Sequence, residues 1–293
     1  MGDAGPETPP LEGRNPIQLI LNGSDRDPKV VTVLVTGFGP FKSFTTNPSY
    51  LIAKSLPEYL YPEPKSFAID APAHFAGLGA TRPLTTPAPI IRLIVHPEQI
   101  RVAYATVARV APELIAKHEP DYIMHIGMAG GRDHYTLETL ARRDGYKIKD
   151  VDDKEGLVAG ELKWRALGLP ETIWTGWDEN DVLARWRGDV ARTCPGDEKA
   201  VVRLSRDAGK FLCEFILYNS LAQRTMESPI GDLNGQRRNG KAAFLHVPGG
   251  IDEVAIARGR NIAESAIRAF VGSWEEGFRR QAVSGKQAKV FTA

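Results

Sequence analysis

Val30-Val31-Thr32-Val33-Leu34-Val35-Thr36 runs directly into Gly37-Phe38-Gly39-Pro40-Phe41. The first seven residues are almost all apolar or β-branched and leave no alternating wet face. Such a run reads as a strand buried on both sides of a parallel sheet. The Gly/Pro loop stops it, and Asn47-Pro48-Ser49 opens a helix over Tyr50 to Leu56, with Pro48 tolerated at an early helical position. Working outward, Ile90 to Val95 (IIRLIV), Tyr122 to Ile126 (YIMHI), Ala200 to Ser205 and Ala242 to Val247 (AAFLHV) repeat the strand signature. Between them lie segments of helical spacing. Ile100, Ala103, Val107, Val110, Leu114 and Ile115 mark one over Glu98 to His118, and Phe211, Phe215, Leu217, Tyr218 and Leu221 mark one from Lys210. A long amphipathic helix follows from Val254 to about Arg280. Strands alternating with helices predict an α/β protein with three α/β/α layers and a largely parallel, partly mixed sheet.

The 293 residues suffice for one large α/β domain, and 42% hydrophobic with 25% charged residues is ordinary for a globular chain. Net charge is +1 with no long basic run, which excludes a nucleic-acid or membrane-surface partner as the organising theme. No apolar run reaches membrane-spanning length. The opening MGDAGPETPPLEGRNP is polar and rich in Pro and Gly, without the apolar core of a signal peptide. Residues 1–28 read as a disordered tail, 29–282 as one domain with an insertion near 61–89, and 283–293 as a polar tail. The oligomeric state stays open. Two cysteines, Cys194 and Cys213, build neither a disulfide framework nor a metal cluster, so a cytoplasmic chain without metal or cofactor is expected.

Cys213 falls just past the bend Arg206-Asp207-Ala208-Gly209, in the first turn of the predicted helix, with Asp207 placed to cap it. Unpaired N–H groups and the positive end of the helix dipole are expected there, and both favour a thiolate. A lone cysteine is more often a small core hydrophobe, and the local pattern by itself favours that reading. Elsewhere, Gly127-Met128-Ala129-Gly130-Gly131-Arg132 is a glycine-rich turn without a phosphate-binding pattern. Glu138 reads by itself as a solvated charge, and His125 as a satisfied core residue. Phe38 and Phe41 suit core packing, but they also lie beyond a strand's carboxyl end, where α/β folds hold ligands. Lys147 to Glu155 reads as loop, Trp164 to Trp186 has no clear assignment beyond a helix near Glu179 to Arg187, and Arg192 to Asp197 reads as a turn.

Four stretches in order resemble the pyroglutamyl peptidase I (pyrrolidone-carboxylate peptidase) family of cysteine peptidases. They are Thr36 to Phe41 with Asn47-Pro48-Ser49, Gly127 to Arg132 with Glu138, Asp207 to Cys213, and Phe244-Leu245-His246-Val247-Pro248. The resemblance implies that Cys213 is the nucleophile, His246 its general base and acid, and Glu138 the member that orients the imidazole. It further implies that Phe38 and Phe41 wall a flat pyrrolidone ring, with Asn47, Met128 and Lys147 at further substrate-binding positions. The implied activity is removal of an N-terminal pyroglutamyl residue from peptides through a thioester, with a pyroglutamyl peptide as partner.

The pocket departs from the family pattern. Met128 stands where the family has a glutamine, Thr139 and Lys147 where it has arginines, Arg143 and Glu214 where it has asparagines. Arg and Lys are not equivalent where a planar fork is needed. An acid beside the nucleophile opposes thiolate formation, so Glu214 supports an alternative, an inactive relative that binds a modified N-terminus or a small cyclic amide.

Overall fold

The computed structural model describes residues 29–62, 88–228 and 238–275. The expected tails, and nearly all of the expected insertion, lie outside them. Strands β1 (Val30–Gly37), β3 (Ile90–Val95), β4 (Tyr122–Met128) and β9 (Ala242–Val247) form the parallel centre of the sheet. Antiparallel β2 (Tyr59–Leu60) closes one edge on β3. At the other side β5 (Tyr135–Glu138) runs antiparallel to β9 and parallel to β8 (Val202–Ser205). The order across the sheet is β2-β3-β1-β4-β9-β5-β8. A separate two-stranded antiparallel sheet pairs β6 (Leu140–Arg142) with β7 (Thr172–Trp174).

Side-chain alternation divides the core into two layers. Val31, Val33 and Val35 of β1, with Tyr122, Met124 and Ile126 of β4, point to one face. There they meet helices α1 (Pro48–Ser55), α4 (Glu179–Thr193) and α6 (Glu253–Glu275). Leu34, Ile123, Ala242 and Phe244 point to the opposite face, covered by α2 (Tyr104–His118), α3 (Leu162–Ala166) and α5 (Leu212–Met226). A single turn of π-helix, Leu157–Glu161, leads into α3. The three-layer, mostly parallel architecture is the one the alternation of strands and helices predicts.

Several boundaries differ from the sequence reading. The helix expected from Glu98 starts at Tyr104, because Ile100 bridges to Phe38 and the Asp150 carboxylate accepts the Tyr104 N–H at 2.8 Å. Cys194, expected in a turn, is the C-cap of α4. Asp207 does not cap α5; its side chain accepts from Gly209 N at 3.2 Å, and Phe211 occupies the cap position without a side-chain bond. Strand β5 and the β6–β7 pair were not anticipated.

The loop after β1 is held rigidly. Asn47 caps α1 by accepting from Ser49 N at 3.1 Å, while its amide donates to the Gly39 carbonyl at 2.9 Å. Gly37 lets this helix approach: a Cβ there would lie 2.6 Å from Tyr50 Cα.

Candidate active site

Glu138 and His246 belong to neighbouring strands on the face covered by α5. In the antiparallel β5–β9 register His246 lies opposite Thr136 and Phe244 opposite Glu138, so the two side chains meet on the diagonal. His246 Nδ1 is 2.8 Å from Glu138 Oε1. A carboxylate can only accept, so Nδ1 carries the hydrogen and the neutral ring keeps Nε2 as its free acceptor. Glu138 is 0% exposed, on an interior strand with Phe244 of β9 and Ser205 of β8 as its register neighbours.

Cys213, second residue of α5, reaches the same place from the helix layer. Its Sγ lies 3.2 Å from where a Gly127 Cβ would stand, and Gly127 is the register partner of His246 across β4 and β9. Any side chain at Gly127 would also collide with Phe244, whose Cζ lies 2.4 Å from that point. The Phe244 ring in turn sits 4.7 Å from the His246 ring. Four segments of low sequence proximity thus place a thiol, an imidazole and a carboxylate on one sheet face.

Burial sets the protonation states. Burial would raise the Glu138 carboxyl, but the interaction with His246 first, then hydrogen bonds from Ser205 and Arg132, outweigh it and hold the pKa below the ordinary value. Burial depresses His246, with Glu138 opposing and Arg132 assisting. Burial and then the Glu138 charge push the Cys213 thiol up to about 12, against Arg132 and the cysteine's own N–H. The resting site is therefore a thiol beside a neutral imidazole. The thiolate expected from the helix dipole is not the resting form, because desolvation outweighs that dipole here.

Other sequence-derived positions take different places. Phe41 is half-buried against Phe211, ring centroids 4.9 Å apart, while Phe38 is buried and packs 6.4 Å from Phe244. Met128 is half-buried at the end of β4, its sulfur near Gly249. Asn47 is buried, both ends of its amide engaged within its own loop. Lys147 is exposed on the loop after β6, and the structure gives its side chain no link to the triad. Arg143 pairs with Asp144 and donates to the Leu169 carbonyl at 2.6 Å, and Thr139 is buried. Glu214 turns to Arg142 Nη1 at 3.0 Å and Lys210 Nζ at 3.6 Å. His125 is buried between Thr36 and Ser220 at 2.7 and 2.8 Å, as a satisfied core histidine should be.

Two residues at the site were not singled out by sequence. Arg132 donates to Glu138 Oε1 at 2.8 Å, and the signal was an arginine closing the glycine-rich turn six residues before the acid. Phe44 is partly exposed with its ring against Gly130 of that turn. Among the described residues no group of three or more His, Cys, Asp or Glu side chains could hold a metal ion.

No family model matches the chain. Human pyroglutamyl-peptidase 1 is 31% identical over 216 residues, spanning 74% of this chain and 78% of that protein. The chain belongs to the pyroglutamyl peptidase I family. Pyrrolidone-carboxylate peptidase of Bacillus velezensis is 26% identical over 217 residues, 74% of this chain and 77% of the relative. Pyroglutamyl peptidase I from Bacillus amyloliquefaciens superposes with a TM-score of 0.54 at 23% identity, covering 82% of this chain and 95% of that one. A variant of pyrrolidone carboxyl peptidase from Pyrococcus furiosus gives 0.55 at 19% identity over 83% and 99% of the two chains. These likenesses carry the pyroglutamyl peptidase fold.

Proposed function

We propose that this chain is a cysteine peptidase that removes an N-terminal pyroglutamyl residue from peptides, with Cys213, His246 and Glu138 as its triad. The carrying observation is the buried 2.8 Å contact between His246 Nδ1 and Glu138 on the face that receives Cys213. Nε2 is then the atom that takes the thiol proton as sulfur attacks the pyroglutamyl carbonyl carbon. The resulting oxyanion is served by first-turn N–H groups of α5, which have no partner within the helix. His246 returns its proton to the leaving amine, the C–N bond breaks, and a thioester remains. Water, deprotonated by the same imidazole, releases pyroglutamate and restores the thiol.

A resting neutral pair suits this sequence, because the charge separation arises only as the sulfur attacks. Glu138 stabilises the imidazolium formed at that moment. The open part of Phe41, beside Phe211, offers an apolar wall to a flat ring, and Met128 adds a polarizable thioether. Asn47 serves by fixing the loop that carries Phe38 and Phe41. The inactive alternative rested on Glu214, which is instead neutralised by Arg142 and Lys210. A reducing, cytoplasmic setting suits two free cysteines, and no helix among the described residues is long and apolar enough to cross a membrane.

The test is hydrolysis of a pyroglutamyl-amide reporter by wild type and by Cys213→Ala. Release by the wild type and a loss of about 10⁴-fold or more in the variant is the expected result. A folded wild type that releases nothing, or a variant that matches it, overturns the reading.

A further inference from the structure

We propose that Arg132 is a positioning residue of this site, a guanidinium clamp that fixes the Glu138 carboxylate and ties it to the turn feeding the nucleophile's helix. Nη1 donates to Glu138 Oε1 at 2.8 Å, the same oxygen that accepts from His246 Nδ1. Nη2 donates to the Asp207 carbonyl at 3.0 Å. One side chain from the turn after β4 therefore joins β5, which carries the acid, to the turn six residues before Cys213. The planar fork makes this possible: two parallel donors on a rigid plane can hold two acceptors in fixed relation, and an ammonium cannot. The inference rests on the triad assignment above.

The charge matters as much as the shape. Glu138 is wholly buried, and an isolated carboxylate there is costly, so a cation in contact adds to the hydrogen bonds from His246 and Ser205 in holding it ionised. Among the described residues the charged and titratable groups around the imidazole are Glu138 from β5, Cys213 from α5 and Arg132. Asp207 is exposed and bonded to Gly209 N, within reach of Arg142, and Glu214 is held by Arg142 and Lys210. His125, two residues before Gly127 on β4, is neutral between Thr36 and Ser220. Arg132 is thus the cation in contact with the triad, and its guanidinium makes protons easier to remove from both His246 and Cys213. Removing it must raise the pH at which the pair sheds its first proton.

The experiment follows iodoacetamide labelling of Cys213 in the full chain by mass spectrometry across pH, for wild type, Arg132→Gln and Arg132→Lys, beside turnover of the pyroglutamyl amide. Labelling needs no substrate, so it decides the role of Arg132 even if the pyroglutamyl reading fails. We expect the acid-limb midpoint of Arg132→Gln to move up by about 0.5–1 pH unit, the arginine being 29% exposed. Arg132→Lys should keep the wild-type midpoint while kcat falls about 10-fold at unchanged KM, since charge is kept and the fork is lost. A midpoint in Arg132→Gln at or below the wild-type value overturns the proposal, as does full wild-type kcat in Arg132→Lys. If Arg132→Gln does not fold, Arg132→Lys decides alone by the same kcat criterion.

Discussion

Gly127→Ala puts one methyl group at the centre of the site. Its Cβ would lie 2.4 Å from Phe244 Cζ, 2.9 Å from Cε1 and 3.2 Å from Cys213 Sγ. Carbon atoms in contact want about 3.5–4.0 Å, so the ring must yield by about 1 Å or more. Phe244 is fully buried, with Phe38 at 6.4 Å and the His246 ring at 4.7 Å, so its displacement is passed to the imidazole. Overpacking of this kind costs about 1–3 kcal/mol. For a domain of this size that lowers Tm by roughly 2–10 °C. A misplacement of about 1 Å at the reacting groups is worth about 10²-fold in rate, so kcat/KM should fall at least that far. The control is Gly131→Ala in the same turn, where an added Cβ meets nothing within 4 Å. That variant should stay within about 0.5 kcal/mol of wild type and keep its activity. Urea unfolding and pyroglutamyl-amide hydrolysis on both proteins give the comparison. Gly127→Ala behaving like Gly131→Ala would refute the packing of thiol, Phe244 and imidazole described above.

Glu138→Gln should lower kcat by about 10²–10⁴-fold with KM little changed, because the amide no longer stabilises the imidazolium; steady-state kinetics showing an unchanged kcat would remove Glu138 from the triad. Asn47→Ala should cost about 1–2 kcal/mol in urea unfolding through the lost cap of α1, with the change in kcat/KM no larger than that loop loosening produces, whereas a purely KM effect at full stability would make Asn47 a substrate contact. Met128→Gln should sharpen preference for pyroglutamyl over prolyl amides, since a hydrogen-bonding site can discriminate by ~10⁴-fold against ~10² for an apolar one; equal kcat/KM ratios in both proteins would show that position 128 does not read the lactam. Acid should destabilise the fold well before the carboxylates titrate. Burial holds His125 down to about 3, so it stays neutral in the fold and takes up a proton on unfolding below its ordinary pKa; burial lowers His246 in the same direction. The His125 stabilisation is complete above about pH 6.5 and is lost as pH falls toward 3, at roughly 1.4 kcal/mol per unit, with His246 adding to the loss in the same sense. Equal urea stability at pH 7 and pH 5 would contradict this.

The central strands were legible because their buried runs are long and uninterrupted, and the elements carrying Cys213 and His246 were legible with them, although those two residues took their roles from the resemblance. Glu138 was different. Four residues, Tyr135 to Glu138, are too few to show a period, and their burial comes from β9 and β8, both more than sixty residues away. Nothing local could distinguish that carboxylate from a solvated one; only the ordered resemblance did. The thiol's protonation was misjudged for a related reason, since the helix end is visible in sequence and the desolvating surroundings are not. Asp207 illustrates a third limit. An aspartate five residues before a helix can cap it or close its own turn, and here it bonds Gly209 N within a turn where Gly209 takes a positive φ.

The reversed strand β5 also orders the protein's assembly in time. A chain emerging during synthesis presents Glu138 and then Cys213, but the 2.8 Å partner of the acid lies 108 residues beyond it, on β9. Until residues 242–247 arrive, β4 has only β1 beside it, and β5 with β8 has no strand linking it to the rest of the sheet. Pairings of such long range form late. A ribosome-bound chain that stops before β9 therefore carries Cys213 and Glu138 but lacks His246, and the proposed triad is incomplete. The proposed site closes only when β9 joins the sheet, so its assembly marks the completed sheet.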